Sequence, residues 1–236
     1  MSFRYNIKND RNIKTYIYFR PTENAELDDI KLILEDDERF DVFTNNDDVN
    51  PHNSYKNITN YIYRIITKTG FLCKGLNPEY ILDAFEECDA VVVIGSSANI
   101  LPNGNIFGFA LINFEEYTNS LYIDIICSHT GIQGAGDILI NAMQEISRKL
   151  LITEISLKSV KSAIPFYEKY GFIKFDKLCD NMCVMFKTIA PSHRDGLARG
   201  RTKSLIKKIL GKRKTKKTRK IRKTRKTGKS RKHYLK

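Results

Sequence analysis

Tryptophan is absent from this chain, proline occurs only six times in 236 residues, and no apolar run approaches the ~20 residues that span a bilayer. The last absence excludes a helical membrane span. The start, MSFRYNIKND, lacks an apolar stretch of signal-peptide type, so the chain is expected to stay inside a cell, nuclear or cytoplasmic. Five cysteines (Cys73, Cys88, Cys127, Cys179 and Cys183) are odd in number and scattered, and no disulfide framework is expected. Cys179 and Cys183 lie four apart, but no second His or Cys pair has ligand spacing, so no metal site is expected. The triplet Asn57-Ile58-Thr59 carries little meaning without a secretory route.

Acidic residues are nearly missing from one end. Residues 194–236 hold 21 Lys and Arg against the single acid Asp195, a net of +20. The remaining 19 basic and 26 acidic residues leave 1–193 at −7. The overall +13 therefore averages two unlike parts: an acidic globular domain over 1–190 and a basic low-complexity tail over 191–236.

Within the acidic part, Lys14–Arg20 (KTYIYFR) is aromatic and β-branched and reads as a strand. Pro21 ends it, Thr22 or Asn24 can cap a helix, and Leu27, Ile30, Ile33 and Leu34 recur at helical spacing. Residues 41–57 are rich in turn formers and read as a loop, while 58–68 are open between helix and strand. Asn77-Pro78 starts a helix in which Tyr80, Ile81, Ala84 and Phe85 share a face. Ala90–Ile94, Ile106–Phe114 and Leu121–Cys127, joined through turns at 102–105 and 117–120, read as an antiparallel meander. Then the period changes. Ile138, Leu139, Ala142, Met143 and Ile146 mark a helix over 135–149. A strand over 152–157, a short helix in SAIPFYEKYG, and strands at 172–175 and 183–186 complete an α/β pattern: a mixed central sheet flanked by helices.

The chemistry sits where the third meander strand meets the following helix. There Cys127-Ser-His-Thr-Gly-Ile-Gln133-Gly134-Ala135-Gly136-Asp137 runs straight from strand to helix through glycines. The first amides of a helix have no internal partner and face the positive end of its dipole, and glycine lets a ligand approach them. Such a junction fits a pyrophosphate. Alone, it is also what an ordinary glycine-capped helix start looks like.

Further on stands Ser162-Ala-Ile-Pro-Phe-Tyr167-Glu-Lys-Tyr-Gly171-Phe172. This resembles the A-x-x-(hydrophobic)-Tyr-Glu-Lys-x-Gly-Phe signature of the GNAT superfamily of N-acetyltransferases, and Gln133-x-x-Gly136 resembles the start of its Q/R-x-x-G-x-G/A acetyl-CoA motif. The resemblance covers residues 14–188, loosely before 89 and well from 106 onward. It implies acetyl-CoA as co-substrate and a primary amine as acceptor. The backbone of Ile126 and Cys127, on the family's fourth strand, would meet the pantetheine arm as an added strand does. The amides around Gln133, Gly134, Ala135, Gly136, Asp137 and Ile138 would hold the pyrophosphate. Tyr167 would protonate the departing thiolate, a task that suits a phenol with a pKa of about 10. Asp124 stands where some members carry a base. The alternatives are a water chain as base and a solvent-side polar residue on an alternating strand.

This chain departs from the pattern in places. Ile138 replaces the usual Gly or Ala, Asp137 adds a negative side chain near the phosphates, and Val160 stands where many members have an Asn. None of these removes a backbone donor. His129, Ser96 and Ser97 read as loop and turn residues, and Tyr55, Tyr61, Tyr63 and Phe71 as packing.

The tail, with Lys212–Lys226 almost wholly basic, is expected to be disordered alone and to bind nucleic acid or another polyanion through 199–236. Lys212-Arg-Lys214 and Lys216-Lys217 also fit a nuclear localisation patch, and Leu205, Ile206, Ile209 and Leu210 would line one face of a short basic helix. In composition the chain resembles proteins of large DNA viruses. Two functions compete: an N-acetyltransferase with a polyanion-binding tail, or a domain without turnover serving a nucleic-acid-binding or packaging protein.

Overall fold

The computed structural model describes residues 5–7, 12–21, 25–43, 54–69, 72–73, 76–96, 106–115, 118–175 and 181–190. All belong to the first of the chain's two units, Met1–Ser192. The tail, the cap candidates Thr22 and Asn24, and the turn at 102–105 lie outside them.

Chain order is β1 (Tyr5–Asn6), β2 (Ile13–Phe19), α1 (Ala25–Glu35), β3 (Phe40–Phe43), α2 (Tyr55–Thr69), α3 (Pro78–Glu87), β4 (Ala90–Ser96), β5 (Ile106–Glu115) and β6 (Ser120–Ser128). There follow β7 (Ile132–Gln133), α4 (Ala135–Lys149), β8 (Glu154–Val160), a 3-10 turn (Lys161–Ala163), α5 (Ile164–Glu168), β9 (Ile173–Lys174) and β10 (Met182–Thr188). The main sheet has the order β3-β2-β4-β5-β6-β8-β10-β9. Only β2–β3 and β6–β8 pair in parallel, so the sheet is mixed, as the alternation of meander and crossover demands.

Both faces of the central strands β2, β4 and β5 are covered, which is why they read as continuous apolar runs rather than alternating ones. Ile17, Phe19, Val92 and Ile94 join the cluster with α1 and α4, whereas Tyr16, Tyr18, Val91 and Val93 join the cluster with α2 and α3. Helix α4 buries Leu139, Ala142, Met143 and Ile146, the stripe expected from their spacing. The ambiguous segment is helical because Ile58, Ile62 and Ile66 form one buried row at i, i+4, i+8. Each such isoleucine contributes roughly 1.5–3 kcal/mol by burial. Asn77 caps α3, its Oδ1 accepting from the Glu79 N–H at 3.0 Å, with Pro78 in the first turn where no donor is lost.

Two segments differ from expectation. Phe40–Phe43 is a strand that runs into the loop expected over 41–57, because Phe40 and Val42 pack inward while the backbone pairs with β2. The polar N-terminus supplies β1, which pairs in parallel with β7 (Tyr5 opposite Ile132), and Ile7 is fully buried. Two-residue strands leave no periodicity to read.

Candidate active site

The site begins with a β-bulge. Leu111 pairs with Ile125 but Ile112 pairs with Ile123, so Asp124 is the extra residue on β6. A bulge re-aims side chains. Leu121 and Ile123 pack in the α1/α4 cluster, while Ile125 and Cys127 pack in the α2/α3 cluster. The odd-numbered residues thus change faces across Asp124. Pairing of β6 with β8 also stops at Ile123–Leu157, although both strands run on. The two diverge into a wedge-shaped cleft of about 460 Å³, with Asp124–Ser128 on one wall and Leu157–Val160 on the other. Beyond Ile123 the edge of β6 that faces β8 pairs with no strand among the described residues, leaving backbone groups for an extended ligand.

A second cleft, of about 440 Å³, opens at the start of α4. Gly134 has φ of 96°, a left-handed conformation that suits glycine, and its carbonyl accepts from Ile138 N–H at 3.1 Å as the first helical bond. The amides of residues 135–137 precede that bond and have no partner inside the helix. The loop is held at both ends. Ile7 N–H donates to Gln133 O at 3.1 Å, and Gly131 N–H donates to Nδ1 of His129 at 3.1 Å. His129 is thus a turn-holding residue, and burial lowers its pKa.

Of the expected phosphate-binding residues, Gln133, Gly134, Gly136 and Asp137 line this cleft. Ala135 does not, being turned into the core, and Ile138 packs against the same core. Asp137 does not project freely at a ligand: the Tyr170 hydroxyl donates to its Oδ1, and Lys169 Nζ approaches that oxygen at 3.4 Å. Burial first, and then this carboxylate, raise the pKa of Tyr170.

The two clefts share Ile126, Ser128, Ala163 and Tyr167. Tyr167, on α5, is 6% exposed and held edge-on between Phe166 (centroids 5.1 Å) and Phe172 (5.8 Å). Burial pushes its pKa up to about 12, so the phenol keeps its proton across the neutral range. Asp124 lines the wedge cleft, where the Tyr80 hydroxyl of α3 donates to its Oδ1 at 3.2 Å. The pKa of Tyr80 is raised by burial and then by Asp124; the same two causes, in that order, push Tyr122 up to about 12.

Tyr80 was missed by sequence reasoning, which places it on the packed face of α3. The buried stripe is Ile81, Ala84 and Phe85, and Tyr80 stands at its edge, 49% exposed, leaning towards β6. Among the aromatics read as packing, Tyr55 is buried, its hydroxyl donating to Phe85 O at 2.5 Å, and Phe71 lies outside the described residues. Ser96 ends β4 and gives its carbonyl to the Tyr16 hydroxyl, and Ser97 lies outside the described residues.

The cysteines require a correction. Cys73 and Cys127 form a disulfide across 54 positions of sequence, and Cys183 is disulfide-bonded as well. Spacing could not show this, because only the tertiary fold brings residue 73 back to the end of β6. The cysteines therefore give no support to a reducing compartment. Cys88 is free and buried, its thiol pushed up to about 11 chiefly by burial. Among the described residues no group of three or more His, Cys, Asp or Glu could hold a metal, and no helix is long and apolar enough to cross a membrane.

Residues 95–186 match the family model described as "Acetyltransferase (GNAT) domain". No curated protein matches the sequence. Among solved structures, Ard1 from Thermoplasma volcanium is 21% identical over 58% of this chain and 94% of that one, with a TM-score of 0.44. The catalytic domain of Tetrahymena GCN5 histone acetyltransferase in complex with coenzyme A is 14% identical over 78% of this chain and 97% of that one, with a TM-score of 0.47. The ribosomal-protein-S18-alanine N-acetyltransferase from Escherichia coli is 15% identical over 58% and 91%, with a TM-score of 0.42.

Proposed function

We propose, from the match of residues 95–186 to the GNAT acetyltransferase domain model, that this chain transfers the acetyl group of acetyl-CoA to a primary amine. The observation that carries the reading is the position of Tyr167, buried on the shared wall of two clefts with complementary chemistry. One cleft ends on helix-start amides suited to an anion; the other holds a carboxylate beside an open strand edge.

Acetyl-CoA supplies the acetyl group activated as a thioester. In this chain the amides of residues 134–137 hold the pyrophosphate, with Lys169 and Tyr170 drawing the Asp137 carboxylate to themselves. The open edge of β6 at Ile126 and Cys127 takes the amide-bearing arm. Tyr167 donates a proton to the departing sulfur. Asp124 takes the proton of the incoming ammonium, directly or through a water, with Tyr80 holding its carboxylate. The residues present fit the co-substrate on one physical ground: glycine at 134 takes the left-handed turn into α4, whose first amides have no partner within the helix. Release of free CoA by the purified protein with acetyl-CoA and a panel of amines, compared with Tyr167→Phe, tests the assignment. Equal loss of co-substrate affinity and turnover in that variant would make Tyr167 a packing residue.

The separation of +20 from −7 supports a second assignment, polyanion binding by residues 199–236.

A further inference from the structure

The wedge cleft has a composition that narrows the acceptor. Asp124 is the only acid among the described residues that line it, and Lys158 lines the same cleft, so the two formal charges cancel. Around Tyr80 and Asp124 the wall is apolar and open: Leu76, Val160 and Met182 line it and are 39%, 46% and 51% exposed. Val160 and Met182 are paired across β8 and β10 and so share one face. That face continues through Val184, 42% exposed, to Phe175, 70% exposed, whose N–H donates to Val184 O. No helix covers it among the described residues, whereas the opposite face of the same strands is sealed by α4, with Leu157, Cys183 and Met185 buried.

We propose that Tyr80–Asp124 and the apolar rim of Leu76, Val160 and Met182 form the subsite for a primary amine carried on an apolar group, and that polycations are disfavoured there. The inference rests on the acetyl-transfer reading only in naming this cleft the acceptor side. One ammonium finds one carboxylate, which the Tyr80 hydroxyl fixes in place. A second cationic group on the same molecule would lie against Val160 and Met182 with no anion to replace its water, and beside Lys158. An apolar body on that rim instead removes hydrocarbon from water on both sides. The net −7 of residues 1–193 is not concentrated in this cleft, whose lining is neutral by formal count.

A matched pair of probes, n-hexylamine and 1,6-diaminohexane, tests this. They differ by one terminal ammonium at equal length. Calorimetric titration of the full chain, with and without acetyl-CoA, is expected to show hexylamine binding at least about tenfold more tightly, the scale of one charged group moved from water to an apolar rim without a partner. Asp124→Asn should weaken both amines. Met182→Glu should raise the diamine to parity or beyond by giving its second ammonium a partner. A wild-type protein that prefers the diamine or treats the two alike overturns the proposal, as does failure to bind either amine. Hexylamine preference without any acetyl-CoA binding would sink the acetyl-transfer reading and leave the subsite standing. Acetyl-CoA binding with neither amine bound would do the reverse.

Discussion

A Cβ added to Gly136 would stand 3.0 Å from Cζ of Phe166. The sequence makes this glycine a place for a phosphate to approach, and the structure adds a protein neighbour with the same demand. Gly136→Val should therefore cost about 1–3 kcal/mol by overpacking as well as weaken acetyl-CoA binding. Thermal unfolding and calorimetry on one sample check this. Lost affinity with unchanged thermal stability would show that the Phe166 contact yields freely.

Tyr167→Phe should lower kcat roughly 10²–10⁴-fold, the range of a lost proton-transfer group, and leave acetyl-CoA affinity nearly unchanged. The acid form is the protonated one, and burial holds the pKa near 12 rather than 10. Any alkaline fall in kcat caused by this group should therefore lie near pH 12. A wild-type alkaline limb below pH 10 that disappears in the variant would contradict that.

Much of this was legible in the sequence because the informative signals are periodic or local. The α4 stripe and the apolar meander strands need only their own neighbours, whereas the Gln133–Gly136 turn took its reading from its resemblance to a family motif, together with that of residues 162–172. What was hidden depends on tertiary return of the chain. The bulge at Asp124 is invisible because an extra residue shows only against the partner strand. Tyr80 looked like packing because helical spacing cannot separate the edge of a buried stripe from its middle. The Cys73–Cys127 bond and the β1–β7 pair join residues far apart in sequence.

Asp37 anchors the turn before β3 to α4. Its two oxygens accept from Arg39 Nε at 2.8 Å and Nη2 at 2.7 Å, and Arg39 Nη1 reaches Glu145 Oε2 at 2.7 Å. The guanidinium holds the Asp37 carboxyl down at about 2. A lowered folded-state pKa contributes stability above the unfolded value near 3.8, which is lost as pH falls towards 2. The contribution is on the order of 2 kcal/mol at neutral pH. Asp37→Asn should lower the urea midpoint at pH 7 and flatten its decline between pH 4 and 2. An unchanged decline would assign acid sensitivity elsewhere.

The Cys73–Cys127 bond closes a loop of 54 positions. Loop-closure entropy gives about 4 kcal/mol of stabilisation for that length. Non-reducing peptide mapping should recover the linked pair, and Cys73→Ser should lower the urea midpoint. Two free thiols at these positions, or an unshifted midpoint, would contradict it.

Cutting the chain near Pro191 should separate two behaviours. The acidic part should ignore DNA and RNA, whereas the tail should shift both with little sequence preference. The tail's affinity should fall by orders of magnitude between about 50 and 200 mM salt, as six or more phosphate contacts require. A full-length protein that leaves DNA unshifted while the free tail shifts it would mean that the tail is occupied within the protein.

The most direct test is a calorimetric titration of acetyl-CoA into residues 1–192, the unit that holds both clefts and lacks the polybasic segment that would attract any polyanion. The account predicts saturable one-to-one binding that Tyr167→Phe preserves and Gly136→Val weakens. Absence of saturable heat from this folded unit would contradict it, and with it the assignment of the Gln133–Asp137 turn as the seat of the co-substrate.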